Sequence, residues 1–189
     1  MGHRGCSGRR YHLDWIRSVS SSQEKAEFHR SRFGKQASPM WRRVEIEAGI
    51  DHPPERVYAY LANPSRWHEF APAVVLRRQI GEGPAGIGTK WAAIDRIGPF
   101  KVHFSDELAE LDADRRVVWH STAPWNSRVE YVCVPEPGGT KVLARYEGDV
   151  AGWLRLVALL PTAVLARILE RDFKGLRARL AADARAGRH

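Results

Sequence analysis

Three polar residues stand in strand-like segments at positions where they could serve acid–base chemistry. Asp95 follows Trp91 and Ala93 at two-residue steps in "TKWAAIDRI", so the three side chains point to one side of a strand. A carboxyl group among aromatic rings acquires the shifted pKa that a general acid or base needs. His120 and Arg145 would share those surroundings only in the other strand register. Because such residues more often lie on a solvated face, the three are weak candidates and the catalytic residues stay unknown.

Other kinds of reactive site find less support. No cluster of His, Cys, Asp and Glu has the spacing of metal ligands, so we expect no metal and no cofactor. The glycines of "GEGPAGIG" precede neither a helix nor a Lys-Ser pair, which favours a hairpin loop over a phosphate-binding loop. No nucleophile-elbow motif is present. Two cysteines, Cys6 and Cys133, are too few for a disulfide framework or a four-thiolate metal site.

Large aromatic side chains are better represented than reactive ones. The chain of 189 residues contains seven Trp, and 43% of its residues are hydrophobic. Strand alternation and helix positions select a set of apolar side chains that face one interior. The residues predicted to line a ligand site there are Trp67, Phe70, Trp91, Phe104, Trp119, Tyr131, Tyr146, Trp153 and Leu156. Any one of these rings fits a packed core equally well, but as a group they indicate a roomy, aromatic-lined interior.

The elements that must position these side chains begin near Met40. Apolar residues at 44, 46, 48 and 50 alternate with polar ones, which predicts a first strand with one wet face. Asp51 is then expected to cap a helix whose first turn holds two prolines and which ends at Asn63-Pro64. A second short helix through Trp67 follows.

The rest of the chain predicts strands and then one long helix. Six alternating segments after residue 72 are separated by short turns, which is typical of an antiparallel meander. Leucines and Phe173 then recur at steps of four and three in a helix beginning at Gly152, which Pro161 should kink or break. The stretch before Pro161 is interrupted by arginine and too short to cross a bilayer; we expect it to be buried or to cover a cavity, and a membrane-surface position is the alternative.

These elements predict an α+β fold with space inside it. A curved antiparallel sheet of about six to seven strands wraps on the long C-terminal helix, and two short helices follow strand one. A sheet this wide curls, and a single helix across its concave side leaves room unless large side chains fill it. We therefore predict a cavity between the sheet and the terminal helix.

Residues 40 to about 184 resemble the START-like or helix-grip superfamily (SRPBCC, Bet v 1-like), in its polyketide cyclase/dehydrase-like branch. The resemblance rests on "IDHPPERVYAYLANPSRWHEFAP" after the first strand, on "GIGTKW", "ELAELDADRRVVWHS" and "GGTKV", and on the proline-containing terminal helix. It implies a cavity that holds apolar ligands such as lipids, sterols or polyketides. Some such proteins are enzymes, and many are carriers.

The first 39 residues differ in composition from the rest. They contain eight Lys and Arg against three acidic residues, a net charge of +5 out of the +8 of the whole chain. A short basic, Ser-rich segment with few apolar residues is typical of a disordered extension, so we expect one folded domain at 40–189. No export signal follows the arginines, which predicts a cytoplasmic protein. Because patterned sequence begins there, we hypothesise that the natural chain starts at or near Met40.

Three functions agree with the sequence. The first is binding of a small hydrophobic ligand in the cavity. The second is a polyketide cyclase or dehydratase reaction in the same cavity, for which positioning by its shape could do much of the work. The third is an anion-binding module that uses the basic extension and the Arg-rich helix end at 167–185. We expect no specific nucleic acid, and at most peripheral contact with anionic membrane. Ligand identity and oligomeric state stay open.

Overall fold

A computed structural model of the protein describes residues 42–122, 125–150 and 161–187. Within these ranges the chain forms seven strands, two α-helices and a 3-10 helix. In chain order they are β1 (Arg42–Ile50), α1 (Pro54–Leu61), the 3-10 helix (Pro64–Glu69), β2 (Val74–Ile80), β3 (Lys90–Ile97), β4 (Phe100–Asp112), β5 (Arg116–Ser121), β6 (Trp125–Glu136), β7 (Gly139–Val150) and α2 (Thr162–Ala186).

The strands form one curved antiparallel sheet in the order β1-β7-β6-β5-β4-β3-β2. Strands β2 to β7 neighbour one another in chain order, as the short turns between them require. Strand β1 completes the row by pairing with β7, so that Ile50 lies opposite Thr140. The predicted meander and the predicted number of strands are confirmed.

Tight turns connect β6 to β7 and β4 to β5. Between β6 and β7 only Pro137 and Gly138 lie outside the strands, and Gly138 has a φ of 87°. Between β4 and β5 Asp114 has a φ of 62°. Both residue types tolerate this left-handed region better than most others do, which is why the chain can reverse at these points.

Strand β1 has the predicted wet and buried faces. Val44, Ile46 and Ile50 are buried, while Glu45 and Glu47 are exposed. The buried set points to the sheet face that packs against α2, which we call the inner face; the opposite side is the outer face. Burial of these aliphatic side chains on one side of an edge strand removes apolar area from water and thereby stabilises the β1–α2 contact.

Helix α1 begins differently from the prediction. It starts at Pro54 with Pro53 at the N-cap, and no side chain caps it, so the predicted cap by Asp51 is wrong. Proline at the first turn fixes φ near the helical value and has no N–H to leave unpaired, which reduces the need for a capping side chain. The predicted apolar face is confirmed, since Val57 and Leu61 are both buried.

The second short helix is a 3-10 helix. The Asn63 side chain accepts a hydrogen bond from the Ser65 amide at 3.2 Å and so opens it. Trp67 then donates its indole N–H to the carbonyl of Tyr60 at 3.2 Å. This bond fixes the 3-10 helix to the end of α1, so the two short helices pack as one unit at the end of the sheet.

Helix α2 crosses the inner face. Pro161 is its N-cap, and the predicted helical stretch at 152–160 lies outside the described residues. Phe173, Leu176 and Leu180 are buried at steps of three and four, which confirms the predicted stripe. The Phe173 ring lies 6.3 Å from that of Tyr131 on β6, measured between centroids.

One glycine sets how closely α2 approaches the short helices. A Cβ atom on Gly175 would lie 2.1 Å from the carbonyl oxygen of Phe70. Any other residue would push the two backbones apart, so glycine here is required by packing even though it weakens a helix interior.

A polar network joins the last turns of α2 to the short helices. Arg179 Nε lies 2.8 Å from the Glu69 carboxylate, and Arg66 Nε donates to the same carboxylate at 2.9 Å. The Tyr60 hydroxyl donates to Asp183. These contacts close the end of the molecule at which α1 and the 3-10 helix lie.

Candidate functional site

The inner face of the sheet is buried at one end and more accessible at the other. Along β6, Cys133 is 3% and Tyr131 9% exposed, whereas Val129 is half-buried. Along β7, Ala144 is buried and Tyr146 is half-buried. Both strands therefore become more accessible in the direction away from α1.

Helix α2 shows the same gradient from its own side. Leu180 and Leu176 are buried, while Leu169 and Leu165, nearer the start of the helix, are half-buried although they pack against the core. Sheet and helix therefore make their tightest contact near the short helices. At the opposite end apolar side chains from both layers keep accessible surface.

Three indoles fill the tightly packed end. The Trp119 ring meets Trp91 at 5.1 Å and Trp67 at 5.5 Å between centroids, both edge-to-face. Trp119 also donates its N–H to the Leu61 carbonyl at 3.2 Å. Since Trp91 and Trp119 are 2% and 1% exposed, they act as core at this end, and Trp67 is half-buried beside them.

The other predicted lining residues that the structure describes keep some accessible surface, apart from Tyr131. The Phe70 ring packs edge-to-face on the Tyr60 ring, with 6.1 Å between the centroids. The guanidinium carbon of Arg77 lies 4.9 Å from the centroid of the Phe104 ring. Tyr131 and Tyr146 share a hydrogen bond of 2.9 Å between their hydroxyls. Burial raises the pKa of both phenols, so both stay neutral. Trp153 and Leu156 lie outside the described residues.

A buried arginine holds two carboxylates on the inner face beside these rings. Arg77 on β2 donates to Asp95 on β3 through both terminal nitrogens, at 2.7 and 3.1 Å. Its Nε lies 2.7 Å from Asp106 Oδ2 on β4, an ion pair in which the N–H is not aimed at the oxygen. Ser121 on β5 donates to Asp106 at 2.6 Å. We call these four residues the polar cluster.

Register explains why the polar cluster forms on the inner face. Asp106 lies opposite Trp91 and Ser121, and Asp95 is two residues from Ala93, which lies opposite Arg77. The side chains of Arg77 and Asp106 are 4% and 2% exposed. Burial raises the pKa of Asp106, although Arg77 and the Ser121 hydrogen bond oppose that shift.

Asp172 on α2 brings a further carboxyl group to this region. It stands three residues after Leu169 and four before Leu176, and so lies on the helix stripe that faces the sheet. Burial, and to a lesser degree the charge of Asp95, raise its pKa to about 7, while Arg171 opposes the shift. Among the described residues, none forms a hydrogen bond or ion pair with the Asp172 carboxyl group.

The raised pKa of Asp172 predicts a pH dependence of stability. The folded chain holds this proton up to about pH 7, whereas the unfolded chain loses it near the ordinary value of 3.8. The unfolded state thus binds fewer protons between those values, and stability falls as pH rises through this window. We expect Asp172→Asn to exceed the wild type in free energy of unfolding by about 2 kcal/mol at pH 8 and to match it near pH 4.

Urea unfolding of the two proteins at both pH values measures this difference. The Glu170→Gln variant removes an exposed carboxylate from the same helix and should show no such dependence. Equal stability of wild type and Asp172→Asn at pH 8 would contradict the prediction.

The catalytic candidates separate in the structure. Asp95 faces inward as the alternation indicated, but Arg77 engages both of its carboxylate oxygens. His120 follows Trp119 on β5 and therefore points to the outer face. Arg145 also lies on the outer face, where it donates to Glu45 at 2.9 Å and to Glu130 at 3.1 Å. The three candidates thus do not form one site.

The sequence interpretation missed Arg77, Asp106 and Asp172. For Asp106 and Asp172 the sequence does contain a signal. Asp106 is in phase with Val102 and Phe104 on β4, and Asp172 is in phase with the leucines of α2. In both places an acidic residue interrupts an apolar pattern without shifting its period, which is the signature of a carboxyl group on a buried face.

Other features of the described residues add little to this site. A groove of about 220 Å³ opens between β1 and α2 at the sheet edge. It is lined by Ile46, Glu47, Ala48, Glu170, Phe173 and Arg177, which include none of the predicted lining residues. Within the described ranges no group of three His, Cys, Asp or Glu side chains is placed to hold a metal ion. No described helix has the length and apolar character needed to span a bilayer.

Comparison with known families and structures agrees with the architecture. The family model described as polyketide cyclase / dehydrase and lipid transport matches residues 42–184. A comparison with curated protein sequences finds no significant match.

Solved structures of similar fold come from distant relatives. A protein of Thermus thermophilus is 22% identical with a TM-score of 0.63, and the match covers 75% of this chain and 99% of that one. A protein of unknown function from Staphylococcus aureus is 16% identical with a TM-score of 0.62, covering 77% and 96%. Ara h 8.0201 is 15% identical with a TM-score of 0.57, covering 75% and 99%. The TM-scores show that these proteins share the fold of this chain, and at identities this low the likeness shows the fold alone.

Proposed function

The chain belongs to the polyketide cyclase/dehydrase and lipid transport family of the START-like superfamily, and we propose from this that it binds a small hydrophobic ligand between the inner face and α2. The observation that carries the proposal is the matching gradient of exposure in both layers. Half-buried apolar side chains of β6, β7 and α2 converge at the end away from the short helices. The sheet and α2 face each other here with apolar side chains that are not completely buried. Such a surface suits an apolar ligand.

The proposed contact surface combines aliphatic and aromatic side chains. Its members are half-buried and lie on the inner face or on α2: Phe104, Val129, Tyr146, Leu165 and Leu169. Trp67 and Phe70 lie on the 3-10 helix and its end, on the other side of the tightly packed region. Tyr131 lies deeper, between this surface and the tightly packed end, and is proposed to form the floor of the site. The hydroxyls of Tyr131 and Tyr146 offer the ligand a polar contact in otherwise apolar surroundings.

A neutral fluorescent probe tests the proposal. We expect N-phenyl-1-naphthylamine to bind the full chain with micromolar affinity and enhanced emission, because transfer of its rings from water is favourable. Val129→Trp and Leu169→Trp fill the proposed site and should weaken binding about tenfold or more.

Leu111→Trp is the matched control for the filling variants. Leu111 is 42% exposed on β4, and the added ring there should leave probe binding unchanged. If folded wild-type protein does not bind the probe, or if the filling variants bind as tightly as the control, the proposal is wrong.

A cyclisation or dehydration reaction at the same site is the second candidate, and Asp172 favours it. Its pKa of about 7 suits a group that both takes up and gives back a proton near neutral pH. Asp95 suits this role less well, because Arg77 engages both of its oxygens. Under this alternative, Asp172→Asn abolishes turnover of a poly-β-ketone analogue while probe binding persists; under simple binding no turnover is seen in either protein.

Electrostatic contact with anionic membrane is proposed as a weak, non-specific property. The net charge of +8 attracts anionic surfaces without requiring a specific site. Two arginines of α2 are already engaged: Arg179 contacts Glu69, and Arg177 donates to the Gly49 carbonyl at 2.7 Å. We therefore expect any such contact to disappear at moderate salt.

A further inference from the structure

The single positive charge of the polar cluster, on Arg77, is already paired with carboxyl groups of the cluster itself. Arg77 directs both terminal nitrogens at Asp95, and Nη1 also lies 2.9 Å from the Leu76 carbonyl. Its Nε lies 2.7 Å from Asp106 Oδ2 without an aligned N–H. One guanidinium thus faces two carboxyl groups. Both members of the Arg77–Asp106 pair are almost completely buried, so water compensates little of the remaining negative charge.

Asp172 adds a third carboxyl group from the opposite layer. The charged and titratable groups that act on it are Asp95 on β3, Arg171 on its own helix, and the phenols of Tyr131 and Tyr146, whose own pKa values it helps to raise. Arg171 is exposed. Asp172 is therefore a half-buried acceptor with no donor among the described residues, set in a stripe of leucines.

A carboxyl oxygen of the polar cluster also lacks an aligned donor. Asp106 Oδ2 is fully buried and receives no aligned hydrogen bond, although Arg77 Nε lies 2.7 Å away. The charges of Asp106 and Asp172 both raise the pKa of the Tyr131 phenol, so both carboxyl groups act on the same side chain. The region between sheet and helix thus carries an excess of acceptors over donors.

We propose that the ligand of this site is an apolar molecule with a protonated amine, and that the amine pairs with Asp172 while the apolar part lies against the half-buried rings and leucines. The inference rests on the binding function proposed above and names its ligand class. A protonated amine supplies both what Asp172 lacks, a hydrogen-bond donor, and what the surroundings lack, a positive charge.

Carboxylate ligands such as fatty acids fit this region poorly. Their charge would meet Asp172 and Asp95, and Arg77 is already paired with two carboxyl groups. Placing like charges together at low dielectric is unfavourable, so the site should discriminate by charge between molecules of the same shape.

Three probes with one ring system test the inference. They are 2-(2-naphthyl)ethylamine, 2-(2-naphthyl)ethanol and 2-naphthylacetate, titrated calorimetrically into the full chain at pH 7.5 and physiological salt. We expect the amine to bind at least about tenfold more tightly than the carboxylate, with the alcohol between them, because a charge-assisted hydrogen bond is worth more than a neutral one.

Asp172→Asn provides the decisive variant, with Glu170→Gln as its matched control. The Asn variant should lose the preference for the amine and keep its affinity for the alcohol. The control removes an exposed carboxylate of the same helix and should keep the preference. Unfolding curves show that each variant is folded under the conditions of the titration.

A proton count gives a second readout that a merely structural role of Asp172 would not produce. Because its pKa is about 7, Asp172 is partly protonated near neutral pH. Pairing with a cation favours the ionised form, so amine binding should release a proton and tighten as pH rises from about 6 to about 8. The heat of binding should therefore depend on the ionisation enthalpy of the buffer in the wild type and not in Asp172→Asn.

The outcomes separate this inference from the proposed function. If the three probes bind equally, if the carboxylate binds best, or if Asp172→Asn keeps both the preference and the proton release, the amine inference is overturned while ligand binding stands. If folded protein binds none of the probes, and N-phenyl-1-naphthylamine also fails, both are wrong.

Discussion

We expect the Arg77→Met variant to lose about 3–5 kcal/mol of its free energy of unfolding at pH 8, since removing one partner of a buried ion pair leaves an uncompensated charge. The charge left behind is that of Asp106, which is 2% exposed, together with that of Asp95. Protonation of a carboxyl group removes the penalty, so the loss should be smaller at pH 5. Urea unfolding at the two pH values measures both effects.

Two further variants show whether the loss comes from charge. The triple variant Arg77→Met, Asp95→Asn, Asp106→Asn removes the whole ion cluster and should recover most of the lost stability. Lys90→Met breaks an ion pair with Glu107 in which the side chains are 58% and 38% exposed, and should cost less than about 1 kcal/mol. A single Arg77→Met variant as stable as the wild type would show that the cluster is not a buried ionic unit.

Trp119→Ala should be similarly destabilising, by about 3–5 kcal/mol, because it removes a fully buried ring and leaves a cavity. The ring is 1% exposed and lies between the indoles of Trp67 and Trp91. Its N–H also satisfies the Leu61 carbonyl, which couples β5 to the end of α1. Thermal and urea unfolding give the change in stability.

Trp119→Phe is a smaller truncation at the same position. It keeps one aromatic ring but loses part of the indole volume together with the bond to the Leu61 carbonyl, so we expect a cost below that of Trp119→Ala, about 1–2 kcal/mol. Ile87→Ala, at a side chain that is 67% exposed, should change stability by less than about 0.5 kcal/mol. A Trp119→Ala variant no weaker than this control would mean that the ring is not part of the core.

The order of strands could be predicted from sequence because few arrangements satisfy short turns and a period of two. Segments joined by tight turns must neighbour one another, and the alternation in β1 gives one buried face. Helix α2 was predictable for the same reason, since Phe173, Leu176 and Leu180 repeat at helical spacing. The start of α1 was not, because Asp51 before two prolines resembles a cap that the structure does not use.

The polar cluster was harder to predict because its parts come from four strands. Asp106 can be buried only because Arg77 lies two strands away and Ser121 on the next strand donates to it. Neither partner is near Asp106 in sequence. A one-dimensional pattern shows that Asp106 is in phase with apolar neighbours, but the compensating charge depends on strand order and register.

The aromatic residues show a second limit of sequence reasoning. Alternation placed Trp91 and Trp119 on the inner face, where the structure has them. It did not distinguish rings that pack on each other from rings that keep accessible surface, such as Phe104. That difference depends on how far α2 lies from each part of the sheet. The close contact of Gly175 with the end of the 3-10 helix sets that separation, and it is remote in sequence from the rings on the strands.

The pairing of the first strand with the last has a consequence for how the protein is made. Ile50 pairs with Thr140, some 90 residues later in the chain. A ribosome adding about 5–20 residues per second needs on the order of 5–20 seconds to cover that interval. Until then β1 is outside the exit tunnel and unpaired, and its apolar side chains lack the neighbours that bury them in the folded protein. The growing polypeptide must therefore stay soluble through a wait that is set by topology rather than by the speed of any folding step.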